Sequence, residues 1–311
     1  MIFSFLKKAL VIFCCFVLVF TAVACAKTVS DDGNTTVVAT NFPAYDFASH
    51  VCKGAAEVTM LLPAGAESHS YEPTAQDIIK IQNCDLFIYT GGESDVWVDK
   101  ILNALDNKVR ALKMTDGISL LPVGNSVDHS DEHAHDEFDE HVWTSPANAI
   151  QIIKTIRDNL IAVDSKNAAS YETNATEYIN EITKLDNDFR DFFKTVENKV
   201  MVFGDRFPLV YFAKEYDIKY YAAFPGCADH SEPGATTIAT LIQKIDSEKI
   251  STVYYIEFSN HNIADTLAEA TGASTALFHS CHNVSKDQIS KGVTYVSLMR
   301  DNIETLKNTM K

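Results

Sequence analysis

The part of the sequence that decides the fold is the periodic run YETNATEYINEITKLDNDFRDFFKTV, residues 171–196. Its apolar side chains recur at alternating steps of four and three residues, which is the spacing of one face of an α-helix. These side chains are Tyr171, Ala175, Tyr178, Ile182, Leu185, Phe189, Phe192 and Val196. Asp164 or Ser165 can cap the helix, which we expect to extend to about Glu197. At 1.5 Å per residue it spans roughly 50 Å, enough to connect two lobes stiffly.

Short runs rich in Val, Ile, Leu, Phe and Tyr alternate with helical patterns on both sides of this helix. The predicted strands are residues 35–40, 57–62, 85–90 and 109–114 before it, and 200–204, 218–224, 252–258 and 274–279 after it. The predicted helices are 45–53, 74–83, 96–105 and 149–163, then 208–216, 236–245, 263–270 and 293–309. This alternation predicts the α/β class, with two Rossmann-like lobes whose parallel sheets carry helices on both faces. An antiparallel coiled-coil arm is the alternative for the long helix, but 149–163 is only about half its length.

The first 24 residues have the pattern of a secretory signal peptide. Lys7 and Lys8 precede an apolar run over residues 9–20, which is short for a membrane span, and small residues follow. The motif AVAC at 22–25 is similar to the lipobox of bacterial lipoproteins, which predicts Cys25 as a lipid anchor on the outer face of the cell membrane. Leucine is usual where Ala22 stands, so secretion without a lipid stays open. We therefore expect a signal peptide (1–24), a tether (25–34), lobes at 35–163 and 198–311, and a linking helix (164–197).

The charge and the cysteines narrow the function further. Losing Lys7 and Lys8 with the signal peptide takes the formal net charge from −16 to about −18. Such a surface disfavours nucleic acid and favours cations. Four cysteines remain for the exported lobes, namely Cys52, Cys84, Cys227 and Cys281. Their spacing is not diagnostic, but a disulfide between Cys52 and Cys84 is possible in an exported chain.

Side chains that can bind a metal follow the strands at one edge of both predicted sheets, where ligands gather in parallel α/β folds. They are His69, His141, Asp205, Cys227, Glu232, Glu257, and His279 followed by Cys281 and His282. A lone loop histidine is more often plain polar surface. About four N, O or S donors around one ion are what zinc requires, so the joint placement of these side chains at the same edge of both lobes predicts a metal site.

The loop 128–137 carries His129, His133 and His135 among acidic residues, and its only apolar residue is Ala134. Imidazoles surrounded by carboxylates favour borderline divalent cations, so we interpret this loop as an auxiliary metal-collecting segment. A merely solvated acidic loop is the alternative.

Three motifs together resemble the metal-binding substrate-binding lipoproteins of bacterial ABC importers, in the zinc and manganese group. They are GAESHSYEPT at 65–74, DLFIYTGG at 85–92 and DEHVW at 139–143. GDRFP at 204–208 and FPGC at 224–227 resemble a clostridial-type branch. The resemblance implies two α/β lobes joined by a rigid helix, a Zn²⁺ or Mn²⁺ held by His69 and His141 in the cleft, and delivery to a membrane permease. A loop rich in histidine and acidic residues is typical of the zinc branch.

The second lobe departs from the family pattern. Gly204 stands where the family usually has a third histidine, or a glutamate in manganese forms, and His279 stands where an aspartate is usual. We therefore predict His279 as the third ligand. Cys227, then Glu232, then Asp205 are the candidates for the fourth, and a thiolate would favour zinc over manganese. A disulfide between Cys227 and Cys281 stays open.

The predicted function is that of a monomeric extracytoplasmic protein that captures Zn²⁺ and passes it to an ABC permease, with manganese or iron as alternative cargo. A surface adhesin and a zinc hydrolase are the alternatives from other classes. A hydrolase needs an open metal position and a nearby general base, yet the chain has no His-Glu-x-x-His pair. It also lacks a nucleophile elbow, a phosphate-binding glycine loop and a dinucleotide fingerprint, so we expect no enzyme.

Overall fold

A computed structural model of the chain describes residues 33–105, 108–123, 138–224, 226 and 233–310, and its strands form two parallel sheets. The first sheet has the order β2-β1-β3-β4, with β1 at Thr35–Ala39, β2 at Ala56–Met60, β3 at Leu86–Tyr89 and β4 at Ala111–Lys113. The second has the order β6-β5-β7-β8, with β5 at Val200–Phe203, β6 at Lys219–Ala222, β7 at Thr252–Tyr255 and β8 at Ser274–Leu277. The α/β two-lobe prediction is confirmed.

Helices flank both sheets. In the first lobe they are α1 at Phe42–Cys52, α2 at Ala75–Asn83, α3 at Val96–Ala104 and α4 at Pro146–Val163, and α5 at Ala168–Thr195 links the lobes. In the second they are α6 at Val210–Tyr216, α7 at Ala235–Ser247, α8 at Asn262–Thr271, α9 at Lys286–Ser290 and α10 at Tyr295–Thr309. Side chains fix several starts: Thr74 and Asp77 form a capping box at α2, and Ser145 Oγ accepts from the Asn148 backbone N–H at α4.

The linking helix α5 is 28 residues long, shorter than the roughly 33 predicted, because Ser165–Asn167 forms a 3₁₀ turn and Val196 is extended. Its buried face follows the predicted spacing from Tyr171 to Phe189, but the last turn buries Phe193 while Phe192 is only partly covered. This face contacts α1 and α4 of the first lobe and α6 and α10 of the second. One continuous hydrophobic core therefore extends through both lobes along α5.

Two further predictions have an outcome in the described residues. Cys52 and Cys84 are both free, so the possible disulfide between them is wrong. Cys52 is buried in the large core at the end of α1, whereas Cys84 packs against a separate cluster and donates to the Ile81 carbonyl at 3.2 Å. Cys281 is also free and is buried. Within the described ranges, no helix has the length and apolarity needed to cross a membrane.

Candidate metal centre

Three histidines from three loops converge between the two sheets. His69 lies in the loop after β2, His141 immediately precedes the 3₁₀ turn Val142–Thr144, and His282 follows β8. One possible ligand atom from each ring lies within 4.8 Å of the other two. The ring centroids are 6.0 Å apart for His69 and His141, 5.5 Å for His69 and His282, and 5.2 Å for His141 and His282. Both lobes thus contribute imidazoles to one point.

The space between these rings is small. A cavity of about 30 Å³ lies beside them, and its lining includes His69, His141, Arg206, Glu257, Phe258 and His282. A single water needs roughly 10–15 Å³ of such space, so the cavity has room for one ion with a water or two.

His141 is oriented by the carboxylate of Asp139. Its ring Nδ1 and its backbone N both lie 2.9 Å from Asp139 Oδ1, and because an ionised carboxylate only accepts, Nδ1 carries a proton. The opposite ring nitrogen, Nε2, is buried and has no hydrogen-bond partner within the described part of the chain. Burial opposes the charged ring, but Asp139 and then Glu140 raise the pKa of His141 above its ordinary value. A metal at Nε2 competes with the proton that this raised pKa favours. The hydroxyl of Tyr211, in the second lobe, donates to the Asp139 carbonyl at 2.7 Å and holds this loop in place.

His282 is presented to the cluster by a carboxylate of its own lobe. Glu257, just after β7, accepts from the Ser280 backbone N at 2.7 Å, the Ser280 hydroxyl at 2.6 Å and the His282 backbone N at 3.0 Å. Burial and then the neighbouring His141 and His69 lower the pKa of His282 well below its ordinary value. Its ring is therefore neutral, which is the form that binds a metal. Its Nε2 is buried, and none of the described residues hydrogen-bonds to it.

His69 is the most exposed member of the cluster, and its surroundings are charged. Burial and then His141 lower the pKa of His69, although Glu140 and Glu67 oppose this. Two residues earlier in the chain, Glu67 Oε2 pairs with Arg206 Nη2 of the second lobe at 3.0 Å. This ion pair connects the lobes at the cavity. Alone, the positive charge of Arg206 would disfavour a cation in the cavity, and the negative charge of Glu67 offsets it.

His279, the predicted third ligand, does not belong to the cluster of described histidines. Its backbone N donates to Asn302 Oδ1 at 2.8 Å, and Asn302 Nδ2 donates back to its carbonyl at 2.8 Å, so α10 holds it in place. Its Nδ1 accepts from the Cys281 backbone N at 2.9 Å, so the neutral ring carries its proton on Nε2. Cys281 has a left-handed φ of 62°, and this turn brings His282 to the cluster instead.

The other predicted ligands are placed differently. Asp205 uses both carboxylate oxygens on backbone N–H groups, that of Arg206 at 2.8 Å and that of Ile256 at 3.2 Å, so it ties the end of β5 to the end of β7. Several predicted residues lie outside the described ranges; they are Cys25, His129, His133, His135, Cys227 and Glu232. The signal for His282 was its position three residues after His279, at the same sheet edge.

Comparison with known proteins gives a consistent result. The family described as zinc-uptake complex component A, periplasmic (ZnuA), matches residues 37–309. The zinc-binding lipoprotein AdcA of Streptococcus pneumoniae (strain ATCC BAA-255 / R6) is 34% identical over 292 residues, which are 92% of this chain and 58% of that protein. The high-affinity zinc uptake system protein ZnuA of Bacillus subtilis (strain 168) is 31% identical over 283 residues, 88% of this chain and 87% of that protein.

The fold has solved counterparts as well. The Zn(II)-bound ZnuA-like domain of S. pneumoniae AdcA superposes with a TM-score of 0.75 at 32% identity, covering 89% of this chain and 99% of that one. The chain therefore spans a little over half the length of the AdcA proteins it matches, and nearly all of their ZnuA-like domain.

Proposed function

Because this chain belongs to the family of the periplasmic zinc-uptake complex component A, we propose that it captures one Zn²⁺ ion outside the cytoplasm and delivers it to the permease of an ABC importer. The observation that carries the proposal is the convergence of three imidazoles, from both lobes, within 4.8 Å in a cavity that has room for an ion. Neutral imidazole suits zinc, whereas manganese prefers oxygen ligands. Zinc is thus the cargo that this site favours.

The proposed ligands are His69, His141 and His282, and His282 replaces His279, which we predicted from the sequence. Asp205 does not join the three histidines in the described cluster, and its carboxylate instead accepts from two backbone N–H groups. Cys227 and Glu232 stay candidates, together with a water molecule. A fourth donor from this set would complete the tetrahedral shell of zinc.

We further propose that the site binds and releases metal rather than catalysing a reaction. The relatives that the chain matches are named as zinc-binding and zinc-uptake proteins, which supports binding and release over hydrolysis. The loop 128–137 would collect metal, and the permease would receive the ion from the main site. Cys25 would carry the lipid that anchors the monomer to the outer face of the cell membrane.

The ligand set is tested by calorimetric titration with zinc. His69→Ala, His141→Ala and His282→Asn should each weaken binding by well over tenfold, more than about 1.4 kcal/mol. His279→Asn is the matched control, because its amide oxygen can still accept from the Cys281 N–H, and it should bind zinc within about threefold of the parent. Loss of binding in His279→Asn with parent-like affinity in His282→Asn would reverse the assignment. Absence of saturable binding in the parent protein would reject the function itself.

Delivery to a permease is tested in cells whose own zinc-binding component has been deleted. The parent chain should restore growth in zinc-depleted medium, and His282→Asn should not. Cys25→Ser should move the protein from the membrane to the soluble fraction while leaving its zinc affinity unchanged. Growth restored equally well by His282→Asn would separate the site from transport.

A further inference from the structure

Two consecutive residues, Asp139 and Glu140, direct their carboxylates at different histidines. Asp139 orients His141, as described above. Glu140 is 1% exposed, its Oε2 accepts from the Ser94 backbone N at 3.0 Å, and its Oε1 lies 3.9 Å from His69 Nδ1. That Oε1 is buried and has no hydrogen-bond partner among the residues that the structure describes. A buried carboxylate oxygen without a partner is costly, so its surroundings call for a donor.

We propose that Glu140 is the positioning residue for His69, accepting its Nδ1 proton so that Nε2 faces the ion. This inference rests on the proposed zinc site. Ser94 fixes one oxygen of the carboxylate, and a closure of about 1 Å brings the other to hydrogen-bonding distance of Nδ1. Carboxylates that hold the second nitrogen of a metal-bound histidine set its tautomer and raise its basicity. In this chain, one Asp-Glu pair supports both first-lobe ligands.

The neighbouring glycine shows that the chain makes room for this carboxylate. A Cβ on Gly92 would lie 2.1 Å from Glu140 Oε2 and 2.3 Å from Glu140 Cβ. The backbone of Gly92 is extended, with φ −149°, a conformation that any residue adopts. Glycine is therefore required at 92 for space, and the space is occupied by Glu140.

The two carboxylates also balance the charge of the ion. Three neutral imidazoles bring no negative charge to a buried Zn²⁺, and Arg206 is already offset by Glu67. Asp139 and Glu140 supply one negative charge behind each first-lobe histidine, which lowers the cost of burying the cation.

The test is Glu140→Gln in the full exported chain, titrated with zinc. A carboxylate can accept from both the Ser94 N–H and the His69 Nδ1–H, but a glutamine amide has only one oxygen. If that oxygen stays on Ser94, the amide N–H faces Nδ1 and drives the His69 proton to Nε2, the proposed ligand atom. We expect zinc affinity to fall by about 10- to 100-fold.

Asp95→Asn is the matched control. Asp95 is buried, lines a pocket together with Glu140, and accepts from the Thr90 and Gly91 backbone N–H groups. Among the described residues it makes no hydrogen bond or ion pair with the three histidines. Titrated above pH 7, the value to which the pKa of Asp95 is raised, this substitution also removes a negative charge, and it should leave affinity within about threefold of the parent. Equal losses in both variants would show a general charge effect and overturn the proposal, as would parent-like affinity in Glu140→Gln.

A second readout separates positioning from folding. Nitrogen-15 NMR of the imidazoles reports the tautomer directly: His69 should carry its proton on Nδ1 in zinc-loaded parent protein and lose this preference in Glu140→Gln. Gly92→Ala, which displaces the carboxylate without removing it, should reproduce the affinity loss if Glu140→Gln fails to fold. Parent-like affinity in Gly92→Ala would then overturn the proposal. If parent and Asp95→Asn bind no zinc, the proposed function fails instead.

Discussion

Replacing Gly204 by alanine tests the close approach of α8 to the end of β5. Gly204 continues β5, donates to the Tyr254 carbonyl at 2.9 Å and is buried. A Cβ there would lie 2.4 Å from Ala264 Cα and 2.5 Å from Ala264 N. Ordinary carbon contacts are near 3.5–4.0 Å, and these atoms are backbone, so no rotation of a side chain relieves the clash. The helix must shift by about 1 Å.

Two opposing effects determine how much Gly204→Ala changes the free energy of unfolding. Overpacking of this kind costs about 1–3 kcal/mol, and the backbone contact places Gly204→Ala near the upper end. Alanine restricts the unfolded chain more than glycine does, and this effect raises the free energy of unfolding by roughly 0.4–1 kcal/mol. We expect the free energy of unfolding to fall by about 2 kcal/mol, measured by urea denaturation at fixed pH without metal.

Gly234→Ala is the control, because a Cβ at Gly234 meets nothing within 4 Å and its φ is −61°. It begins α7, so only a small cost of about 0.5 kcal/mol is expected from the changed cap. Gly204→Ala as stable as Gly234→Ala would refute the steric argument. The same contact explains why the histidine that the family resemblance implies at 204 is absent here: it has no room while α8 lies against β5.

Three other perturbations have defined outcomes. Burial and then Glu140 raise the pKa of Asp95 from 3.8 to about 7. The Asp95 carboxyl group therefore binds its proton more tightly in the folded protein than in the unfolded chain. Its contribution to the stability of the folded state is fully present below about pH 4 and is lost as the pH rises to 7. Between pH 4 and 7, the free energy of unfolding of metal-free Asp95→Asn should therefore fall less steeply with pH than that of the parent, by roughly 1.4 kcal/mol for each pH unit. The measurement is urea denaturation at several pH values, and the same pH dependence in both proteins would contradict this. Deleting 128–137 should leave stoichiometric zinc binding intact and slow uptake only when zinc is scarce, because histidines spread along a polar loop must give up chain entropy to close around an ion; loss of the calorimetric site would place the loop in the main centre. Zinc should change the small-angle scattering profile only slightly, because bending α5 would break its backbone hydrogen bonds; a large decrease in the radius of gyration would argue against a stiff connection.

The fold was predictable because it depends on periodic signals. All eight described strands overlap their predicted ranges, and the apolar face of α5 is correct up to its last turn. Several predicted strands end later in the sequence than the observed strands do. The reason is that buried apolar residues, such as Ile256 and Phe278, continue past the last paired residue into the loops. Phe192 and Phe193 are adjacent and identical, so periodicity could not decide between them once the helix was near its end.

The candidate site was predictable only in part. His69 and His141 follow strand ends, and that rule places both in the cluster. His282 lies in the cluster and His279 does not, because the backbone of Cys281 is left-handed. This conformation is uncommon outside glycine, and nothing in the sequence Ser-Cys-His indicates it. The contact between Glu140 and Ser94 lies between loops, where no repeat indicates which side chains meet.

The convergence of the histidines also sets when a metal can be held during folding. Ser68 and His282, whose side chains meet, are 214 residues apart in the chain, and Gly65 N donates to the Val284 carbonyl at 2.9 Å. Contacts of such high sequence separation form late, because the intervening loop entropy must first be overcome. During synthesis the first lobe can assemble with His69 and His141, but the third imidazole arrives only after β8 has paired with β7. Zinc would then stabilise the completed two-lobe state most strongly, and a chain interrupted before residue 282 would offer only His69 and His141 of the three proposed ligands.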